Sequence, residues 1–514
     1  MGVGLKTWFS TTFSSSSSSS KILLFVVPLI LVTGFASLLV LKGSGWVFIY
    51  SHPFSKPSLD IATSQAKQRD GLADLRLEVL AVDDHSRKEA LSNETAINNS
   101  VSSPISAEPL QVQDSLIDDH PLKPRRRRFW TNLDRLEAGL QRARVAIKEA
   151  INGSRLQDPD YSPDGPIYRN AKVFHRSYLE MEKQFKIFVY NEGELPLFHD
   201  GPCRMLYTIE GQFINKMEMN KKFRALNPEK AHVFFLPYSI TRMRHFVNDL
   251  KSFGRIVLDY VNVIAAKHPY WNRSLGADHF MLACHDWGPH TSFYVPELVK
   301  FSIRALCNAN TSEKFNPWKD VSVPEINLKN NKLEGLIGGP SPSKRSILAF
   351  FAGGNHGPVR PILFEHWGKK DPDIQVHDYL PGGVSYYDLM RQSKYCLCPS
   401  GYEVASPRVV ESLYNGCVPV LISKSYVPPF SDVLNWKMFS VIVSLEDIPN
   451  LKKILMSIPE RKYIRMQKRV VKVRRHFELN SPPKRFDVFH MILHSIWIRR
   501  LNVRINDGLG KISN

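Results

Sequence analysis

Residues 395–423, YCLCPSGYEVASPRVVESLYNGCVPVLIS, read as strand, loop, helix, strand. Tyr395 to Cys398 is a short apolar run, and Val418 to Ile422 is a second, β-branched one. Between them Ser406 is placed to cap a helix, Pro407 takes its first position, and Gly416 follows its last turn. Two strands joined through a helix make a βαβ unit of a parallel sheet. The free N–H groups at such a helix start lie beside the end of the first strand and suit a phosphate. Arg408 adds a fixed positive charge, and Glu411 stands one turn further on. A phosphate site with an acid beside it implies a nucleotide ligand.

The same alternation continues upstream. Phe185 to Tyr190 (FKIFVY) and His232 to Pro237 (HVFFLP) are apolar runs of strand length with helical material around them. Ser346 to Ala352 (SILAFFA) opens a second set, followed by Gly353-Gly354 and a helix from about Pro358. The segment LEGLIGGPSPSKR between the sets has the composition of a linker. The expectation is therefore an α/β protein of two domains, residues 166–340 and 341–455, facing each other across a cleft. Residues 456–514 read as a basic helical segment with a solvated face.

The chain of 514 residues has room for two or three domains. Its N-terminus is organised differently from the rest. Ile22 to Leu41 is uncharged, bounded by Lys21 and Lys42, and long enough for one bilayer crossing. It exceeds a signal-peptide core of roughly 7–15 residues. This predicts a cytoplasmic tail at 1–21, a signal-anchor at 22–41 and a stem at 42–165. Within the stem, Leu133, Leu136, Leu140, Ala143 and Ile147 recur at helical spacing, giving an amphipathic helix suited to self-association. Arg125–Arg128 reads as a solvated basic patch. N-glycosylation sequons at Asn93, Asn98, Asn152, Asn272 and Asn310 all follow the span and favour a lumenal bulk, a single-pass type II arrangement. The net charge of +19 would suit nucleic acid in a cytoplasmic protein, but a secretory lumen offers none. In that compartment some of the six cysteines should pair, and the connectivity is open. Cys396 and Cys398 read as buried thiols rather than a C-x-C metal fragment.

Four blocks resemble a plant member of the exostosin-like glycosyltransferases, family 47. They are KIFVYNEGELPLFHDGPC (186–203), HPYWNRSLGADHFMLACHDWGPH (268–290), ILAFFAGGNHGPVRPILFEHW (347–367) and YCLCPSGYEVASPRVVESLYNGCVPVLI (395–422). Lys424 departs from the acidic residue usual after VLIS in that family. The resemblance implies a GT-B fold of two Rossmann-like domains, the nucleotide sugar bound mainly by the second and the acceptor mainly by the first. It further implies a Golgi type II membrane enzyme, a hexosyl- or pentosyltransferase. Such an enzyme would use a nucleotide-sugar donor, a UDP-sugar foremost, a cell-wall polysaccharide acceptor, and inversion by direct displacement. Other Golgi glycosyltransferases are the protein partners to expect. The alternative is a non-catalytic glycan-binding or scaffolding Golgi protein of the same fold.

Sugar transfer requires a charge-stabilised leaving diphosphate and a base for the acceptor hydroxyl. Two D-x-D triplets, Asp158-Pro159-Asp160 and Asp371-Pro372-Asp373, match a metal-binding pattern, but neither directly follows a clear strand. The expectation is a metal-independent site with no cofactor. The loop Gly353-Gly354-Asn355-His356-Gly357 lets backbone N–H groups approach an anion. Arg360 and Arg408 then meet the diphosphate. Glu411 resembles the acid that contacts the ribose in GT-B enzymes, and Ser400, Gly401 and Tyr402 line the nucleotide. His285 and Asp286 follow a buried strand and are the candidates for the base, Asp286 first. Asp278 and His279 are expected to orient structure.

Overall fold

The structure is a computed structural model of the chain and describes residues 131–506 except Asn331. The expected tail, membrane span, most of the stem, the Arg125–Arg128 run, Asn93 and Asn98 lie outside the described residues.

Two all-parallel sheets carry the fold. The first contains β1 (Ile187–Val189), β2 (Arg224–Ala225), β3 (Val233–Leu236), β4 (His279–Ala283), β5 (Ile303–Leu306) and β6 (Val321–Ser322), in the order β2-β1-β3-β4-β5-β6. The second contains β7 (Ile347–Ala352), β8 (Ile374–His377), β9 (Ser393–Pro399), β10 (Val418–Ile422) and β11 (Val441–Val443), in the order β11-β10-β9-β7-β8. Strands covered by helices on both faces have no polar side to present, and β3, β4, β5 and β10 are buried at every position. The arrangement is consistent with the GT-B class.

The opening βαβ unit forms as read. Ser406 is extended and its hydroxyl caps the N–H of Arg408, Pro407 starts the helix Pro407–Tyr414, and Gly416 follows with a positive φ of 64°. In the second sheet the chain leaves β7 toward β8 and returns on the other side as β9. This reversal is a topological switch point, where an open α/β sheet presents a crevice at its carboxyl edge.

The cysteines pair in two sets. Cys284–Cys307 ties the ends of β4 and β5, and Cys396–Cys417 ties β9 to the residue before β10. Cys203 and Cys398 are free. The reading of Cys396 as a buried thiol is thus corrected, since it is buried but bridged; spacing alone does not reveal a partner across a βαβ crossover.

Two segments pack differently from expectation. The helix Asn132–Glu149, assigned to the stem, lays its Leu133, Leu140 and Ala143 face against the helix Ala171–Gln184 of the folded unit. Its Arg144 donates to the carbonyls of Leu501 and Val503 at 2.6 and 2.9 Å. The basic C-terminal segment divides. The helix Glu460–Val473 turns Tyr463, Met466 and Val470 inward beneath the second sheet and leaves Arg461, Lys462, Arg465 and Lys468 in solvent. The helix Val488–Leu501 crosses back to β5, β6 and the helix Ala171–Gln184 of the first sheet, and it is buried nearly all round. Its Arg500 donates to the carbonyl of His232 at 2.7 Å and pairs with Glu137.

Candidate active site

The donor-side residues converge at the switch point. Arg360 opens the helix Arg360–Trp367 after β7, and Arg408 opens the helix after β9. Both guanidinium groups lie over the ring of Phe351, at 5.6 and 4.6 Å from its centroid. Arg408 donates to the carbonyl of Ala352 at 2.8 Å and to the Ser406 hydroxyl at 3.3 Å. Arg360 donates to the carbonyl of Gly354 at 3.0 Å and to His356 Nε2 at 2.5 Å. Neither arginine makes a salt bridge with a carboxylate among the described residues. Burial, followed by the charge of Arg408, pulls the Arg360 guanidinium down to about 10.

A guanidinium can only donate, so His356 accepts at Nε2 and its neutral ring carries the proton on Nδ1. That Nδ1, Nε of Arg360 and Nε of Arg408 are buried with no hydrogen-bond partner among the described residues. Each of the three is a buried donor that an oxygen of a bound anion could satisfy. The hydroxyls of Ser400 and Ser423, at the ends of β9 and β10, are unpaired in the same way.

The glycine loop contributes differently from its reading. The Gly353 N–H is already donated to the carbonyl of His377, continuing the β7–β8 ladder. Its role is steric: a Cβ there would fall 2.6 Å from Arg408 Nη2. Gly357, at φ +74°, lets its loop touch the next one, since a Cβ would fall 1.9 Å from the carbonyl oxygen of Gly401. Tyr402 is 78% exposed and stacks on His356 with centroids 4.8 Å apart. Glu411 is buried and accepts from the hydroxyls of Tyr386 at 3.0 Å and Tyr387 at 3.4 Å. Burial raises its carboxyl group, and Arg408 and the two tyrosines oppose that rise without cancelling it. Lys424 is exposed.

The first sheet supplies the facing wall. Asp286, three residues beyond β4, accepts from the Tyr207 hydroxyl at 2.8 Å. The backbone N–H of Trp287 donates to Nδ1 of His285 at 3.1 Å, so the neutral His285 ring carries its proton on Nε2. Burial lowers its affinity for a second proton. The fully buried Glu210 fixes this turn, accepting from the N–H groups of Cys284 and His285 at 2.7 and 3.0 Å. On the β3 side it accepts from the Ser239 hydroxyl at 2.7 Å and the Thr241 N–H at 3.0 Å. Asp278 and His279 form a buried pair at 2.8 Å, with Arg273 on Asp278 and the Tyr190 hydroxyl on His279.

Several residues escaped the sequence reading. Glu325 is 6% exposed beyond β6. Glu403, on the second domain's loop, accepts from Nδ2 of Asn308 at 2.5 Å, and Asn308 also donates to Glu313 at 3.1 Å. Burial and the neighbouring Glu313 push Glu403 up to about 7. A clearer strand than the two-residue β6 would have exposed Glu325; Glu210 and Asn308 carry no local signal.

Residues expected elsewhere are placed as follows. Asp158 is held by Arg485 at 2.8 and 3.0 Å, and Asp371 by Lys452 at 2.7 and 3.0 Å. Among the sequons, Asn152 and Asn272 are exposed. Asn310 is 7% exposed, with its amide committed to Ser312 and Glu313, a position that offers no room for a glycan in the folded chain.

Comparisons place this geometry. The Exostosin GT47 domain profile matches residues 181–458. The chain is 63% identical over 420 residues to a probable glycosyltransferase of Arabidopsis thaliana, covering 81% of this chain and 78% of the relative. A second Arabidopsis probable glycosyltransferase is 54% identical over 73% of this chain and 83% of its own length. A probable glucuronosyltransferase of Oryza sativa subsp. japonica is 30% identical over 61% of this chain and 80% of its own length. The profile spans both sheets, the switch-point arginines and the Asp286 turn, and the chain belongs to the exostosin GT47 family as a glycosyltransferase.

Proposed function

We propose that this chain transfers a hexose or pentose from a nucleotide sugar, foremost a UDP-sugar, to a cell-wall polysaccharide with inversion at the anomeric carbon. It would work as a GT-B enzyme from a type II position in the Golgi membrane, without an obligatory divalent metal. The observation that carries the reading is the set of unpaired buried donors on His356, Arg360 and Arg408 at the switch point. Two guanidinium groups without carboxylate partners supply the positive field that a departing diphosphate needs. The name of the rice relative supports transfer between sugars as the reaction class.

In the proposed step the acceptor O–H breaks and its proton passes to the Asp286 carboxylate. The freed oxygen bonds to the anomeric carbon. The bond from that carbon to the diphosphate breaks, leaving its electron pair on the diphosphate oxygen facing Arg360 and Arg408. Asp286 is favoured over His285 because Nδ1 of His285 is engaged by the N–H of Trp287 and Nε2 holds the proton. Glu411, oriented by Tyr386 and Tyr387, is assigned to the ribose.

The test is a screen of the full chain in detergent against a panel of nucleotide sugars and polysaccharide acceptors, scored by released nucleoside diphosphate. Turnover with one donor is expected. Asp286→Asn should lower kcat by about 100-fold or more while leaving nucleotide affinity intact. Full activity of Asp286→Asn beside loss in His285→Ala would reverse the assignment. Absence of any nucleotide binding would favour the non-catalytic scaffold.

A further inference from the structure

Glu325 has no place in the step above, yet it stands where the two walls meet. The strands β4, β5 and β6 are neighbours, with Ala283 in register with Leu306 and Leu306 with Ser322. Asp286 and Glu325 each lie three residues beyond those strand ends. They therefore occupy the same carboxyl edge, two strands or roughly 10 Å apart along the sheet. Glu325 is more than nine-tenths buried, its carboxyl oxygens keep a remnant of solvent contact, and it makes no hydrogen bond or ion pair among the described residues. An ionised carboxylate in that setting is strongly disfavoured, whereas the neutral acid carries a donor that awaits an acceptor.

Asp286 and Tyr207 of the first sheet, and Glu411, Arg408, Arg360 and Tyr426 of the second domain, lie within electrostatic reach of Glu325. Burial, then Asp286 and Glu411, outweigh the two arginines and push its carboxyl up to about 8. From the first domain, its carboxyl group is within electrostatic reach of both Arg408 and Arg360.

We propose that Glu325 meets the donor as a neutral carboxylic acid, its O–H donating to an oxygen of the nucleoside-diphosphate sugar held by Arg360 and Arg408, and that loss of this proton weakens donor binding. The inference rests on the nucleotide-sugar reading and extends it. Glu325 becomes a donor-binding residue whose ionisation would place a third carboxylate beside an anionic ligand.

The experiment is calorimetric titration of the full chain in detergent with UDP, and with GDP in parallel, between pH 7 and 9. For the wild type, Kd should be nearly flat to about pH 7.5 and then rise toward ten-fold per pH unit above 8. Glu325→Gln keeps an N–H donor and cannot ionise; it should bind as the wild type does at pH 7 and stay flat to pH 9. Glu325→Ala should bind roughly ten-fold more weakly at pH 7, from the lost hydrogen bond. A wild-type Kd independent of pH, or an alkaline rise that persists in Glu325→Gln, overturns the proposal while leaving the nucleotide reading standing. If neither nucleotide binds the wild type at any pH, the nucleotide reading itself falls and this proposal falls with it.

Discussion

Arg360 is a costly residue in the empty protein, while the charge of buried Arg408 is favoured by Tyr386 and Glu411. Each is a partly or fully buried cation hydrogen-bonded to carbonyls, a serine hydroxyl or a histidine over the Phe351 ring; Arg408 also has the Glu411 carboxyl within electrostatic reach, whereas burial and the Arg408 charge both weigh on Arg360. Buried charges without partners are often replaced by apolar side chains with no loss of stability, and sometimes a gain. Arg360→Met should therefore leave Tm unchanged or raise it, whereas Arg408→Met should lower it modestly by removing the charge beside buried Glu411; each should weaken nucleotide binding by roughly 10- to 100-fold, the span of a charge-assisted hydrogen bond. Thermal melts beside UDP titrations separate the two effects; a large drop in Tm with nucleotide affinity intact would make these residues structural. Arg408→Lys should not rescue binding, because a single ammonium cannot reach Ala352, Ser406 and a phosphate together. At this scale the sequence was informative where chemistry coincides with a helix start. Arg408 and Glu411 were readable from the Ser-Pro-Arg spacing. Gly353 was readable as a special position but not in its role, because whether a glycine N–H is free depends on the neighbouring strand.

The elements that hold these residues are short, and of the two disulfides Cys284–Cys307 braces the carboxyl edge, whereas Cys396–Cys417 lies toward the amino end of β10. Cys284 immediately precedes His285 and Asp286, and its bond to Cys307 fixes the β4 terminus against β5. For a sequence separation of 23 residues the chain-entropy contribution is about 3 kcal/mol. Cys284→Ser/Cys307→Ser should lower Tm by roughly 3–5 °C in a domain of this size. It should also depress kcat, since the turn carrying the proposed base then loses its covalent brace and keeps only hydrogen bonds, those of Glu210 and of Tyr207 among them. The Cys396–Cys417 bond closes a similar loop at the far end of its strands, so Cys396→Ser/Cys417→Ser should lower Tm comparably and leave kcat and KM near the wild-type values. Identical kinetic signatures in the two variants would contradict this division of labour. Strand and helix positions were largely legible, since β7, β9 and β10 are apolar runs flanked by turn residues. What stayed hidden was β6 with Glu325, because a two-residue strand has no periodicity, and the pairing of Cys396, because its partner lies on the far side of a crossover helix.

At the scale of the molecule, the last described helix packs on the first sheet and not on the second, which it follows in sequence. The helix Val488–Leu501 looks like a basic tail, with Arg499 and Arg500 at its end, but those arginines are buried in contacts to the carbonyls of Asp320, Pro317 and His232 and to Asp432 and Glu137. The two sheets are thus strapped by the chain's return, and Glu403–Asn308 links them at the cleft. Such coupling makes global stability sensitive to buried titratable groups from both halves, and the sign can be worked out. His232 and His476 are held by burial down to about 3, and His494 to about 4. Below their ordinary value of 6.5 the unfolded chain gains protons there that the folded chain refuses, so stability falls as pH drops from 6.5 toward 3. Glu325 and Glu403 act in the other direction. Their folded values of about 8 and about 7 exceed the ordinary 4.5. Their contribution is complete below 4.5 and is lost as pH rises through 7 and 8. Between 4.5 and 6.5 the three histidines outweigh the two glutamates, and above 6.5 the loss from the glutamates continues until their folded values are passed, so Tm should peak near pH 6.5, decline to about pH 8 and then level off. Glu325→Gln/Glu403→Gln should flatten the alkaline decline and leave the acid limb in place. Melting curves from pH 4.5 to 9 read both limbs, and an alkaline decline of unchanged slope in the double variant would show that neither carboxyl keeps its proton in the folded protein.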